Sequence, residues 1–374
     1  MKLAVFGGTG FLGYDFIKLA SDSAEIELTI YSTSPKSLVN LARHELDVRL
    51  ISVGRLEKVN LDKDTDFFIN FSHPFGIRDE HTSREQIDLF IDFLARQKKI
   101  IPALRLLHLS SMSVYEPFND EIFYTENSQL APPKTDAYSS DKVYVESRIK
   151  ALPGASEWQV HLRPTIVYGP FCRPWTDRIL EAFLEGQVCY RDLSGIIQPV
   201  YGHDISRFIH SCLHHFIPGT YNMAGDEEVT WLEFLQFFEG IVCCGKLTRD
   251  PNSVPSEYGP SVGFFRFYKD NFKELMGIIS REDSFVRMAA PIVGKLPRSL
   301  VVWVRDNVFG GEMGLPPKPR IVSLFASDFY RDNRMVSRAE FNQSFPDFQF
   351  KSLSETKQEL EDYYNFRFTD IPLC

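Results

Sequence analysis

Leu3-Ala4-Val5-Phe6-Gly7-Gly8-Thr9-Gly10-Phe11-Leu12-Gly13 is the stretch that decides the fold. Its apolar run reads as a buried strand, and Gly7, Gly10 and Gly13 follow at a GxxGxxG spacing. Glycines at those places permit a tight strand-to-helix turn. They also let a pyrophosphate lie against the amides of a helix N-terminus, where the helix dipole favours negative charge. The expected dinucleotide-binding residues here are Gly7, Thr9, Gly10, Phe11, Leu12 and Gly13. A glycine-rich turn is weak evidence by itself, so the rest of the chain must supply chemistry that needs such a ligand.

That chemistry is offered by Tyr138-Ser139-Ser140-Asp141-Lys142. A helix turns once per about 3.6 residues, so Tyr138 and Lys142 share a face and the ammonium lies beside the phenol. A nearby cation stabilises phenolate and brings the tyrosine toward useful proton transfer at neutral pH. Many YxxxK pairs are solvated helix surface. This one gains weight from Ser110-Ser111-Met112-Ser113-Val114-Tyr115, which follows the apolar run Leu104 to Leu109. Those hydroxyls fall at the carboxyl end of an expected parallel strand, where open α/β sheets bind ligands.

With Leu162-Arg163-Pro164-Thr165-Ile166-Val167-Tyr168-Gly169-Pro170 added, the order and spacing of these blocks resemble the extended short-chain dehydrogenase/reductase family, the NAD-dependent epimerase/dehydratase group. The resemblance covers residues 1–240, fades between 240 and 320, and returns at Asp332-Asn333-Arg334-Met335-Val336-Ser337. It implies catalytic Ser111, Tyr138 and Lys142. Tyr138 would exchange a proton with a substrate hydroxyl or carbonyl while a hydride moves at the same carbon. Ser111 would bind that oxygen, chosen because it stands four residues before Tyr115, with Ser110 and Ser113 as fallbacks. Lys142 would bridge the nicotinamide ribose hydroxyls. Ser72 and Pro164 are further cofactor candidates, and His73, Ser113, Ile166, Tyr168 and Arg191 are substrate candidates. For His73 a titrating role is attractive, but a structural histidine at a proline turn is the stronger reading.

Cofactor choice is expected at the end of the second strand, Leu28-Thr29-Ile30-Tyr31-Ser32-Thr33-Ser34-Pro35-Lys36, which lacks a carboxylate for ribose hydroxyls. Ser32, Thr33 and Lys36 suit a 2′-phosphate, so NADP(H) is favoured over NAD(H). The alternative is a hydroxyl-rich turn that caps the next helix. Relatives that dehydrate or decarboxylate sugars carry acids where this chain has Met112 and Ser113, which leaves ketone reduction or epimerisation. Relatives acting on nucleotide sugars use an asparagine and an arginine at places where this chain has Ile166 and the arginine-free run Gly195 to Asp204. Three readings stay open: a reductase or epimerase of a nucleotide-activated or modified sugar, a reductase of a more apolar ketone, and a cofactor-sensing protein without catalysis.

The 374 residues are 44% hydrophobic, enough for one large core and a smaller lobe. A net charge of −9 without clustered Lys/Arg argues against nucleic acid. Six cysteines without CxxC spacing argue against a metal site. The first strand begins at Lys2 or Leu3, leaving no room for a signal peptide, so cytoplasm is the expectation. Strand patterns at 2–6, 26–31, 47–53, 66–71, 104–109 and 158–163 alternate with helical stretches at 11–21, 35–44, 80–98 and 138–151, and 203–216 reads as another helix. The expected fold is α/β, a Rossmann-type doubly wound parallel sheet with a smaller α/β substrate lobe. Residues 1–170 with 200–217 form the first part, and 171–199 with 218–374 the second, including an enlarged 245–325 segment. That segment holds Phe264-Phe265-Arg266-Phe267-Tyr268 and an apolar run, Leu300 to Phe309, too short to span a membrane. The stripe Ile87, Phe90, Ile91 and Leu94 could serve a homodimer, as in relatives, although packing on the sheet is the stronger reading.

Overall fold

The computed structural model describes residues 1–32, 49–52, 59–72, 80–116, 118, 124–130, 137–242, 245–253, 320–325 and 327–368. The expected helix at 35–44, Thr33, Lys36, His73 and most of the 245–325 segment lie outside them.

Seven parallel strands form the main sheet: β1 (Lys2–Phe6), β2 (Glu27–Ser32), β3 (Arg49–Ser52), β4 (Phe67–Asn70), β5 (Arg105–Leu109), β6 (Gln159–Pro164) and β11 (Gly219–Met223). Their order is β11-β6-β5-β4-β1-β2-β3, so the winding reverses between β1 and β4. This doubly wound arrangement opens a crevice outside the carboxyl ends of the strands at the reversal. The six strands read from the sequence are all present. The seventh, β11, pairs with β6 from Gly219↔Val160 to Met223↔Pro164 and closes the edge of the sheet. Residues after 217 therefore do not all belong with the smaller lobe. Phe341, in the helix α8 (Ala339–Ser344), also packs into the main-sheet core.

Strand side chains alternate between two faces. Leu3, Val5, Phe67, Ile69 and Leu107 meet Phe16 and Ile17 of α1 (Phe11–Ser21), and Ile205, Phe208 and Ile209 of α6 (Gly202–His214). Ala4, Phe6, Phe68 and Leu106 meet the opposite pair, α2 (Glu80–Ile100) and α3 (Ala137–Lys150), and Trp158 of the short helix α4 (Ala155–Trp158) joins that layer. Ile87, Phe90, Ile91 and Leu94 of α2 are buried in that second layer, so the sheet itself covers the stripe.

A smaller lobe carries three parallel strands in the order β13-β8-β14: β8 (Gly186–Tyr190), β13 (Lys246–Arg249) and β14 (Arg320–Phe325). Phe183 of α5 (Arg178–Glu185), Trp231, Phe234 and Leu235 of α7 (Trp231–Glu239), and Leu360 of α9 (Leu353–Phe368) share its core. Thr230 starts α7 with a capping box: its hydroxyl accepts from the Glu233 amide at 3.1 Å, and the Glu233 carboxylate accepts from the Thr230 amide at 2.7 Å. Two further two-stranded pairs stand apart from both sheets, β7 (Val167–Tyr168) with β10 (Val200–Tyr201) and β9 (Ile196–Ile197) with β12 (Val229–Thr230).

Candidate active site

The turn between β1 and α1 shows which glycines are structural. A Cβ on Gly13 would stand 2.3 Å from the Gly7 carbonyl oxygen, and one on Gly7, at φ +73°, would stand 2.7 Å from the Ser72 nitrogen. Neither site accepts a side chain, because the opposing atoms are backbone. At Gly10 a Cβ would meet only the Gly7 oxygen, at 3.4 Å. Packing does not demand glycine there, yet its absent side chain leaves the helix N-terminus open. No side chain caps α1 at Gly10 and no acid stands in its first turn. An open, uncapped N-terminus over a close backbone crossing fits a pyrophosphate.

Ser72 is fixed beneath this turn, its amide and hydroxyl both donating to Asn70 Oδ1, at 3.1 and 2.5 Å. Asn70 Nδ2 lies 3.0 Å from His108 Nδ1. Because the Asn70 oxygen already serves Ser72, its amide nitrogen is the donor and His108 Nδ1 the acceptor.

Ser111, Tyr138 and Lys142 converge on the end of β5. Lys142 Nζ donates to the Leu109 carbonyl at 2.9 Å, two residues before Ser111, and lies 5.8 Å from the centre of the Tyr138 ring. Ser111 is partly exposed and caps the 3₁₀ turn Met112–Tyr115, its hydroxyl accepting from the Ser113 amide at 3.1 Å. Ser110 is turned inward and donates to Glu146 Oε2 at 2.6 Å. Of the two adjacent serines, Ser111 is thus the partly exposed one. Burial pulls the Lys142 ammonium down to about 8, and the Glu146 charge opposes that pull.

Glu146 escaped the sequence reading. It lies one turn beyond Lys142 and is fully buried. It accepts from Ser110, from Lys150 Nζ at 2.6 Å, and from Arg163 through Nε at 3.2 Å and through Nη2. Arg163 Nη1 donates to the Tyr115 hydroxyl at 2.5 Å and to the Glu126 carbonyl at 3.0 Å, and Tyr115 donates onward to Asn222 Oδ1 at 2.8 Å. Burial alone would raise the Glu146 carboxyl. The Arg163 hydrogen bonds and charge outweigh it and hold the carboxyl well below the usual range. Burial also pushes the Tyr115 phenol up to about 12 and His161 down to about 4. The spacing Tyr138, Lys142, Glu146 was the available signal.

The substrate candidates separate. Ile166 is 4% exposed and Tyr168 1%, and the Tyr168 hydroxyl lies 3.1 Å from Thr356 Oγ1, so both belong to the lobe core rather than a ligand surface. Arg191 Nη2 donates to the Ser253 carbonyl at 3.2 Å, beyond the end of β8. Ser113 stays in the Ser111 turn, and its buried hydroxyl has no hydrogen-bond partner among the described residues. Pro164 ends β6 opposite Met223. Among the described residues no group of three or more His, Cys, Asp or Glu could hold a metal ion, and no helix is long and apolar enough to cross a membrane.

A doubly wound sheet, an open glycine turn at its reversal, and a Ser/Tyr/Lys corner define an enzyme of the extended short-chain dehydrogenase/reductase class. The chain belongs to the NAD dependent epimerase/dehydratase family, whose model matches residues 3–224. Comparison with curated protein sequences finds no match. Among solved structures it is similar to a dTDP-glucose 4,6-dehydratase from Bacillus anthracis in complex with NAD, at 16% identity over 99% of this chain and 98% of that one, with a TM-score of 0.61. It is also similar to a UDP-glucuronic acid 4-epimerase from Bacillus cereus bound to UDP-glucuronic acid and NAD, at 16% identity over 98% and 100%, with a TM-score of 0.62. A dTDP-4-dehydrorhamnose reductase from Clostridium acetobutylicum matches at 16% identity over 67% and 84%, with a TM-score of 0.51. At these identities the likeness is one of fold.

Proposed function

We propose that the chain is a nicotinamide-dinucleotide-dependent reductase or epimerase acting at a secondary alcohol or ketone carbon of a nucleotide-activated or modified sugar. The observation that carries this reading is the Lys142 ammonium anchored on Leu109 O, with the Tyr138 ring one helical turn away and the partly exposed Ser111 two residues along. Gly7, Thr9, Gly10, Phe11, Leu12 and Gly13 would hold the pyrophosphate, with Ser72 beneath and Pro164 beside the nicotinamide. The bound dinucleotide supplies hydride chemistry at its nicotinamide ring. Ser111 donates a hydrogen bond to the substrate oxygen, Tyr138 gives or takes the proton at that oxygen, and Lys142 stabilises the phenolate.

NADP(H) is our choice over NAD(H), resting on Ser32, Thr33 and Lys36 and on the lack of an acid after Tyr31, although two of the similar structures were solved with NAD. The second reading, a more apolar ketone, is supported by the sequence: Ile166 and the arginine-free run Gly195 to Asp204 stand where relatives acting on nucleotide sugars carry an asparagine and an arginine. We assign 1–170 with 200–217 to the dinucleotide side and 171–199 with 218–374 to the substrate side, β11 and α8 excepted, and we place the enzyme in the cytoplasm, as a dimer or monomer.

The test is mass spectrometry of the protein as purified, then melting curves with NADPH, NADH and nucleoside diphosphates, since a ligand that binds the native state raises its melting temperature. Response to a dinucleotide and to uridine, thymidine or guanosine diphosphate supports the nucleotide-sugar reading. Response to a dinucleotide alone moves the assignment to a non-nucleotide ketone, and response to none refutes both.

A further inference from the structure

We propose that Phe171 is a positioning residue for the dinucleotide, a wedge that holds the first turn of α1 against the C-terminal helix α9. The inference rests on the dinucleotide reading of the β1–α1 turn.

Phe171 is the one non-glycine residue with positive φ among the described residues, at +66°. It is also 37% exposed, among the few large apolar side chains left at the surface. A phenylalanine in the left-handed region costs conformational energy that glycine would not incur, and such a conformation persists only where its surroundings enforce it. Here they do. The preceding Gly169 (φ +141°) donates its amide to Thr176 Oγ1 at 2.9 Å, and the Cys172 amide donates back to the Gly169 carbonyl at 3.1 Å. The chain then enters a π-helix, Arg173–Asp177, an irregularity often found at functional sites. Asp177 ends it by accepting from the Tyr363 hydroxyl of α9 at 2.7 Å.

The loop so held faces two ways. On one side the Phe171 ring meets Tyr363 edge-on, with centroids 5.0 Å apart; on the other it meets Tyr14, in the first turn of α1, at 6.0 Å. Gly169 lies against the same turn, for a Cβ there would stand 3.6 Å from Phe11 Cζ. Phe11 and Tyr14 bracket the amides that would receive the pyrophosphate. The strained residue therefore fixes the angle at which the helix N-terminus presents them, a contribution that stability alone does not require.

The experiment compares Phe171→Ala, which keeps the strain and loses the ring, with Phe171→Gly, which loses both, and Phe171→Leu, which keeps bulk. Apo melting temperatures and fluorescence titrations with NADH and NADPH are read on the full chain. Loss of one aromatic contact at each flank weakens dinucleotide binding in the Ala and Gly variants roughly three- to ten-fold. The Gly variant melts above the Ala variant because it sheds the strain, and Leu falls between wild type and Ala in affinity. Wild-type affinity in both Ala and Gly, or a Gly variant that melts no higher than Ala, overturns the proposal. If Ala and Gly do not fold, Leu decides by its affinity. If the wild-type chain binds neither NADH nor NADPH, the dinucleotide reading fails first and this inference falls with it.

Discussion

Glu146→Gln is the substitution with the largest effect to be worked from the structure. The side chain is 0% exposed, and its partner Arg163 is 1% exposed. Both carboxylate oxygens are fully used, Oε1 by Lys150 and Arg163 Nη2, Oε2 by Ser110 and Arg163 Nε. Glutamine keeps the shape, removes the charge, and turns an NH₂ group toward donors on one side. Arg163 keeps its bonds to the Tyr115 hydroxyl and the Glu126 carbonyl but loses the buried carboxylate that pairs with it. Removing one partner of a buried pair costs about 3–5 kcal/mol, because the other charge is stranded. Urea unfolding at pH 7 measures the loss from the shift in midpoint at unchanged slope. Adding Arg163→Met to Glu146→Gln recovers part of it, since the stranded charge is gone. The pH dependence has a fixed sign. The Glu146 carboxyl is held below its ordinary 4.5, so its contribution is complete above that pH and is lost as pH falls further. The gap between wild type and variant is therefore full at pH 7 and narrows in acid. A loss below about 1 kcal/mol at pH 7, the level of an exposed pair, refutes the reasoning.

Two further outcomes follow from the same geometry. Gly13→Ala puts a Cβ 2.3 Å from a backbone oxygen and destabilises the chain, whereas Gly10→Ala, with only a 3.4 Å neighbour, melts like wild type but loses affinity for NADH and NADPH in fluorescence titrations. His161 is neutral and buried, its folded value near 4 against 6.5 ordinarily, so the unfolded chain takes up its proton first as pH falls and about 3 kcal/mol of stability is lost across that window; His161→Gln shows a correspondingly shallower decline in urea titrations between pH 7 and 4.

The parts of this molecule that could be read from the sequence are those whose signal is local. The strand runs and the glycine turn declare themselves within a few residues, because burial on both faces demands continuous apolar strands and a tight turn demands glycine. β11 gave no such signal. Gly219-Thr220-Tyr221-Asn222-Met223 alternates, and Asn222 is buried because it receives the Tyr115 hydroxyl and donates to the Ser337 carbonyl at 2.8 Å, partners more than a hundred residues away. Tyr168, named among the substrate candidates, is a related case: its hydroxyl is committed to a helix at the far end of the chain, which nothing local in the sequence shows.

The Ser/Tyr/Lys corner shows how local and distant signals combine. Tyr138 and Lys142 are legible by spacing, but spacing cannot say why a fully buried ammonium is tolerated. The answer lies in tertiary structure: a carbonyl from β5 receives Lys142, and one turn further Glu146 is held by Arg163 of β6 and Ser110 of β5. An uncompensated charge in such a place would force α3 away from the sheet. With these partners α3 satisfies its buried charges in the observed register, since sliding it by one residue would carry Lys142 and Glu146 off their acceptors and donors together. The network that conceals itself in the sequence is thus what gives the legible YxxxK pair its position beside Ser111.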